Sequence, residues 1–185
     1  MDRTVVHSRL THHVRNFFEG HRFADLTWLR GPIHNTIPGF SVIRVEPGPK
    51  TKLWVYVSRG AWGADSGLTE FMILAPSENS RHVELLAMTA YYRLEHHLGI
   101  GDTFPIGEPW VPKSRCDHFL VSRPYPFGPD LEICPLDGTH LHLQWLLPIT
   151  EAEKEFAVSQ GLEALETRFE QKKLQYWLPD RRSVA

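Results

Sequence analysis

Cysteine is scarce in this chain. Only Cys116 and Cys134 occur in 185 residues, and neither belongs to a CxxC pair. That excludes the disulfide framework of a small secreted domain, and two isolated cysteines read as reduced thiols. An excess of positive charge is missing too. At a formal net charge of -2 no basic field awaits a phosphate backbone, so a nucleic-acid partner is disfavoured. No apolar run is long enough to cross a bilayer. Residues 1–18 are polar and histidine-bearing, without the apolar centre of a signal peptide. Repeats and low-complexity tracts are absent. The expectation is a soluble cytoplasmic protein without a membrane partner. Its 42% hydrophobic content suffices for a proper core, most simply one domain over residues 1–185.

The densest apolar stretch is Gly67-Leu68-Thr69-Glu70-Phe71-Met72-Ile73-Leu74-Ala75-Pro76. A nearly continuous run of this length suits a strand covered on both faces, since a one-sided strand would alternate apolar and polar residues. Pro76 lacks a donor N–H and ends the ladder. Glu70, a lone carboxylate inside the run, needs a partner or an exit to solvent.

Residues Thr4 to Phe18 carry Val6, Leu10, Val14 and Phe17/Phe18 at helical spacing, and Gly20 is a plausible stop. Gly31-Pro32 and Pro38-Gly39 punctuate a loop. Phe40 to Val45 and Leu53 to Val57 read as strands joined by a turn, hence an antiparallel pair. Ser77 to Ser80 offers helix caps, and a helix from about Arg81 to His97 has Val83, Leu86, Ala87, Ala90 and Leu94 on one stripe. Gly99, Gly101 and Asp102 end it. Phe104 to Pro112 is irregular or an edge strand. Phe119-Leu120-Val121, Leu131 to Cys134 and Leu141 to Leu147 are further strands. Thr150 and Glu153 fit a capping box, and the helix they open brings Phe156, Leu162, Leu165 and Phe169 toward the core. Helices fall between groups of strands without strict alternation. That favours an α+β fold with a mixed, largely antiparallel sheet flanked by helices.

Signals for chemistry are weak. Of eleven histidines, His140 and His142 share a face of a strand. A zinc site would need further ligands such as His118, Cys116 or Asp117. His96-His97 and His12-His13 are helix neighbours that point apart. Gly63-Ala64-Asp65-Ser66-Gly67 displaces its serine by one position from a nucleophile elbow and puts it before a strand. Gly99-Ile100-Gly101-Asp102 is too short for a phosphate-binding fingerprint. Glu70 and Asp102 would pair only if the fold joined them. No enzyme signature and no cofactor requirement emerges. Six tryptophans, by contrast, offer large rigid faces of the kind used as binding anchors. Trp62 and Trp110, in glycine- and proline-rich connections, are the ones expected at the surface.

Six short motifs, taken in order, resemble the suppressor-of-fused (SUFU-like) domain, most strongly over residues 53–183. They are Trp54-Val55-Tyr56-Val57-Ser58-Arg59-Gly60, Gly67-Leu68-Thr69-Glu70-Phe71, Glu84-Leu85-Leu86 through Ala90-Tyr91-Tyr92, Gly101-Asp102, the passage from Asp137 to Phe156, and Pro179-Asp180-Arg181-Arg182-Ser183. The resemblance implies a non-enzymatic protein-binding domain. In animal Hedgehog signalling a larger protein with this domain sequesters a transcription factor through a short peptide. Bacterial single-domain members are similar to immunity proteins of polymorphic toxin systems, and the length of this chain suits that type. Carried over by resemblance, the peptide-contacting helix tyrosine falls on Tyr92, with Tyr91 an alternative, and the turn aspartate on Asp102. Partner-binding residues are thus expected at Tyr92, Asp102, Trp62 and Trp110, with a cognate toxin or peptide segment as partner. A small metal-dependent hydrolase using His118, His140 and His142 is the competing reading. A scaffold that only self-associates is a third.

Overall fold

In a computed structural model of the chain, residues 2–29, 31–62 and 67–185 are described. Helix α1 (Arg3–Phe17) leads into β1 (Phe23–Thr27), α2 (Ile33–Thr36), β2 (Ser41–Val45), β3 (Trp54–Arg59), β4 (Thr69–Ala75) and α3 (Arg81–Tyr92). There follow β5 (Thr103–Pro105), β6 (His118–Ser122), α4 (Pro129–Glu132), β7 (Ile133–Leu136), β8 (Thr139–Ile149), α5 (Glu151–Gln160) and α6 (Leu162–Gln171). The strands run β1-β2-β3-β4-β8-β6-β5, with β7 also on β8. Neighbouring pairs from β1 to β4 are antiparallel, while β4 and β8 are parallel, Thr69 opposite His142. The fold is the α+β type, with a mixed, mostly antiparallel sheet.

The chain divides into two compact units, Met1–Leu98 with Arg123–Trp145, and Gly99–Ser122 with Leu146–Ala185. In the first, β4 is the buried strand its composition demands: Phe71, Met72 and Ile73 are fully buried and Leu74 nearly so. Each such side chain contributes roughly 1.5–3 kcal/mol through burial. Helix α1 buries Val6, Leu10 and Val14, and α3 packs on β3 and β4 through Val83, Leu86, Ala87 and Ala90. In the second unit the Thr150–Glu153 capping box forms in full and starts α5.

Several local expectations need correction. The helix from Arg81 stops at Tyr92, where bonding tightens to three-residue turns from Leu94 to Tyr91 and from Glu95 to Tyr92. Leu94 consequently leaves the buried stripe and is 48% exposed. Residues 131–134 are split between the helical turn α4, opened by Pro129 at its first position, and β7. The last helix is two, because Gly161 at φ 91° breaks it into α5 and α6. Leu165 and Phe169 are buried, whereas Phe156 and Leu162 are only partly so. Strand β1 had no expectation attached to it. Of the serine-displaced elbow at 63–67, residues 63–66 lie outside the described residues.

Candidate partner-binding surface

Helix α3 is fixed at its start by Asn79, whose Oδ1 accepts the Arg81 N–H at 2.9 Å, rather than by Ser80. The Asn79 N–H in turn donates to the Tyr56 hydroxyl at 3.1 Å, tying the cap to β3. The other end is held by Arg93, 4% exposed, which donates to the carbonyls of Thr69 at 2.8 Å and Gly67 at 3.3 Å. Both ends of the helix are therefore anchored, the first on β3 and the second on the main chain at Gly67 and Thr69.

The outer face of α3 is unusually apolar. Met88, Tyr91 and Tyr92 are 43%, 39% and 37% exposed. Tyr92 stacks on His96 with ring centroids 4.1 Å apart. Tyr91, Met88 and Glu84 wall a concavity of about 430 Å³ whose other side is Trp28, Pro32 and Ile33. The arrangement offers flat aromatic area without a catalytic group, which suits recognition.

Asp102 belongs to the second unit. It is exposed, and its Oδ2 accepts the Gly99 N–H at 2.7 Å, closing a turn in which Gly101 takes φ 94°. The main chain around it is paired, Gly101 N–H to the Val121 carbonyl and Val121 N–H to the Asp102 carbonyl, each 2.8 Å. The turn thus presents a carboxylate on a rigid support.

Trp62 and Trp110 are not at the surface. Trp62 is 9% exposed with the Arg3 guanidinium 5.4 Å from its ring, and Trp110 is fully buried, its Nε1–H donating to Ser114 at 3.1 Å. Glycine and proline mark irregular backbone, but the area of an indole is still driven inward. Buried rings have no face to offer a partner.

Glu70 was flagged in sequence as needing a partner, and it has several. Fully buried, its carboxylate accepts from the Ser58 hydroxyl and from the N–H groups of Gly60 and Ala61. Ser58 Oγ accepts the Phe71 N–H at 2.8 Å. Burial pushes the Glu70 carboxyl above its ordinary range, against the pull of those donors and of the Arg93 charge. These contacts occupy its oxygens and pin residues 60–61, so its role is structural.

His140 and His142 do share the exposed face of β8, and His118 Nδ1 sits 2.9 Å from Asp117. Among the described residues, however, no group of three or more His, Cys, Asp or Glu is placed to hold a metal ion. The hydrolase reading on His118, His140 and His142 therefore lacks its donor set. Among the described residues no helix is long and apolar enough to cross a membrane.

Comparison with known proteins places the chain by family and by fold. The family model described as suppressor of fused protein (SUFU) matches residues 37–182. A crystal structure of a SUFU homolog from Neisseria gonorrhoeae is 36% identical, with a TM-score of 0.87 over 97% of each chain. The Sufu–Fu complex shares the fold at 13% identity, with a TM-score of 0.70 over 97% of this chain and 92% of that one. Drosophila Suppressor of Fused does so at 14% identity and a TM-score of 0.66, and this chain spans 50% of it. A search of curated proteins finds no match. The chain belongs to the suppressor-of-fused family.

Proposed function

We propose that this chain is a non-enzymatic, single-domain protein-interaction module of the cytoplasm, of the immunity type, which binds and neutralises a cognate toxin or sequesters a partner protein. The observation that carries the reading is the exposed aromatic end of α3, with Tyr91 and Tyr92 presented beside Met88. Exposed rigid aromatics with short side-chain entropy cost are frequent anchors of protein interfaces. The family context supports it, since one relative of the same fold was solved as a Sufu–Fu complex. The match to a homolog from Neisseria gonorrhoeae over 97% of each chain supports a bacterial setting of this fold, and the immunity role is carried by the family resemblance. Tyr92 supplies a flat contact and Asp102 a charge-assisted acceptor for a partner's basic side chain or N–H.

Capture from the native lysate tests the reading, with wild type beside Tyr92→Ala and Asp102→Lys. A specific partner should be held by wild type and weakened about tenfold or more by either variant, the loss of roughly one hot-spot contact. If that partner arrests growth when expressed alone and this chain relieves the arrest, the immunity setting holds. A partner retained by both folded variants would remove Tyr92 and Asp102 from the interface. No partner at all would remove the binding function.

A further inference from the structure

Strand β1 ends the sheet. It pairs with β2 antiparallel, Phe23 opposite Val45 and Thr27 opposite Ser41, and the Glu46 N–H donates to the Arg22 carbonyl at 2.9 Å. Antiparallel ladders alternate bonded and non-bonded pairs. Arg22, Ala24 and Leu26 therefore bond to β2, and the main-chain groups of Phe23, Asp25 and Thr27 point the other way. No hydrogen bond among the described residues engages those outward groups. Asp25 and Thr27 are exposed. An edge of this kind is complementary to one thing, another extended backbone.

The two faces beside the edge differ. On the face of Leu26, Arg44 and Tyr56 lies a concavity of about 240 Å³, lined by Leu26, Trp28, Tyr56 and Val83 and bordered by the Arg44–Glu78 ion pair. It is smaller than a typical small-molecule site and holds a single large side chain. On the other face Asp25 receives two guanidinium groups, Arg15 at 3.3 Å and Arg59 at 3.0 Å. That face keeps a surplus positive charge, and Asp25, being already paired, does not repel an incoming acidic group.

We propose that the β1 edge docks an extended segment of a partner protein in which large apolar residues alternate with acidic ones. The apolar side chains point to the Leu26–Trp28–Val83 concavity and the carboxylates to Arg15. A second copy of this chain fits less well, because a two-fold edge pairing would bring the arginine-rich face of each copy toward its twin. The inference rests on the reading of the domain as a protein binder, but it uses residues other than Tyr92 and Asp102.

The test is calorimetric titration of the full chain with a synthetic peptide alternating leucine and glutamate. Two control peptides accompany it, one with lysine for glutamate and one N-methylated on the amides that would face β1. The glutamate peptide should bind, and each control should bind at least about tenfold more weakly, as loss of one or two hydrogen bonds or charge contacts implies. Thr27→Pro deletes an outward N–H without touching the β2 ladder. It should weaken the glutamate peptide severalfold while thermal unfolding confirms the fold. If that variant does not fold, Arg15→Glu serves instead and should abolish the preference for glutamate over lysine. Equal binding of all three peptides, no binding, or binding indifferent to the folded variants overturns the proposal. So does a concentration-dependent dimer, seen by sedimentation, that Thr27→Pro abolishes, since the edge would then belong to a second copy. If the peptides fail while a Tyr92-dependent partner is still captured, the edge falls and the protein-binding reading stands. If both fail, both fall.

Discussion

Among the described residues two carboxylates are completely buried, one in each compact unit, and they are neutralised by different means. Glu153 meets Arg181 in a two-pronged ion pair, both contacts 2.7 Å, and also accepts from the Thr150 N–H at 2.9 Å and the Val184 N–H at 3.0 Å. Arg181 has a further acceptor in the Pro148 carbonyl at 2.8 Å. Burial would lower the Arg181 pKa, but the hydrogen bonds and charge of Glu153 outweigh it and the net direction is upward. Glu70, in contrast, is held at close range by neutral donors, the Ser58 hydroxyl and two backbone N–H groups. A charge matched by a charge is fragile to loss of its partner. A charge solvated by backbone is fragile to movement of the loop that supplies it.

The largest effect is expected from Arg181→Met, which strands a buried carboxylate and should cost about 3–5 kcal/mol in urea or thermal unfolding. Adding Glu153→Leu should recover part of that loss. A double variant as unstable as Arg181→Met alone would mean that the pair is not the source of the effect. A smaller effect comes from His82, a buried titratable group in the same unit as Glu70. Its ring packs on Tyr56 at 4.9 Å, and burial, opposed by the Ser77 backbone and aided by the Arg81 charge, lowers its pKa to about 4. A lowered histidine contributes stability that is full above its ordinary value near 6.5 and is lost as pH falls toward 4. The loss is at most about 3 kcal/mol; it should be absent from His82→Leu, so the stability difference between wild type and that variant should shrink by this amount as pH falls from 6.5 toward 4. The smallest is Glu70→Gln, expected to cost about 1–3 kcal/mol by turning one acceptor into a donor against the Gly60 and Ala61 N–H groups. Its signature is faster hydrogen exchange at those amides. Unchanged exchange there would break the contrast drawn between the two carboxylates.

Legibility in sequence followed the range of the interactions. The capping box of Thr150 and Glu153 was readable because its two members are three residues apart, and β4 because burial on both faces shows in a single apolar run. The need of Glu70 for a partner was readable, but its partners were not, since Ser58 and Gly60 reach it only through the β3–β4 register. Strand β1, Phe-Ala-Asp-Leu-Thr, carries little alternation and is strand only because β2 offers it a ladder. Arg181 belonged to a motif that resembles the family's closing element, yet nothing local showed that its charge returns to Glu153. At the candidate surface, Tyr91 and Tyr92 are assigned by resemblance and their exposure is a finding of the fold, while the fate of Trp62 and Trp110 was set by the burial of indole area that a loop composition does not reveal.

The parallel pairing of β4 with β8 also shapes how the chain reaches this state. Strands β1 to β4 can zip as successive antiparallel neighbours, each close to the last in sequence. The other side of β4 waits for Thr139–Ile149, with α3, β5, β6, α4 and β7 lying between in the chain. Until that distant strand arrives, Phe71-Met72-Ile73-Leu74 stands as an apolar, proline-free edge, the kind of segment that recruits other chains. Slow closure of this long loop, and aggregation in competition with it, are the kinetic cost of putting the most buried strand in the middle of the sheet.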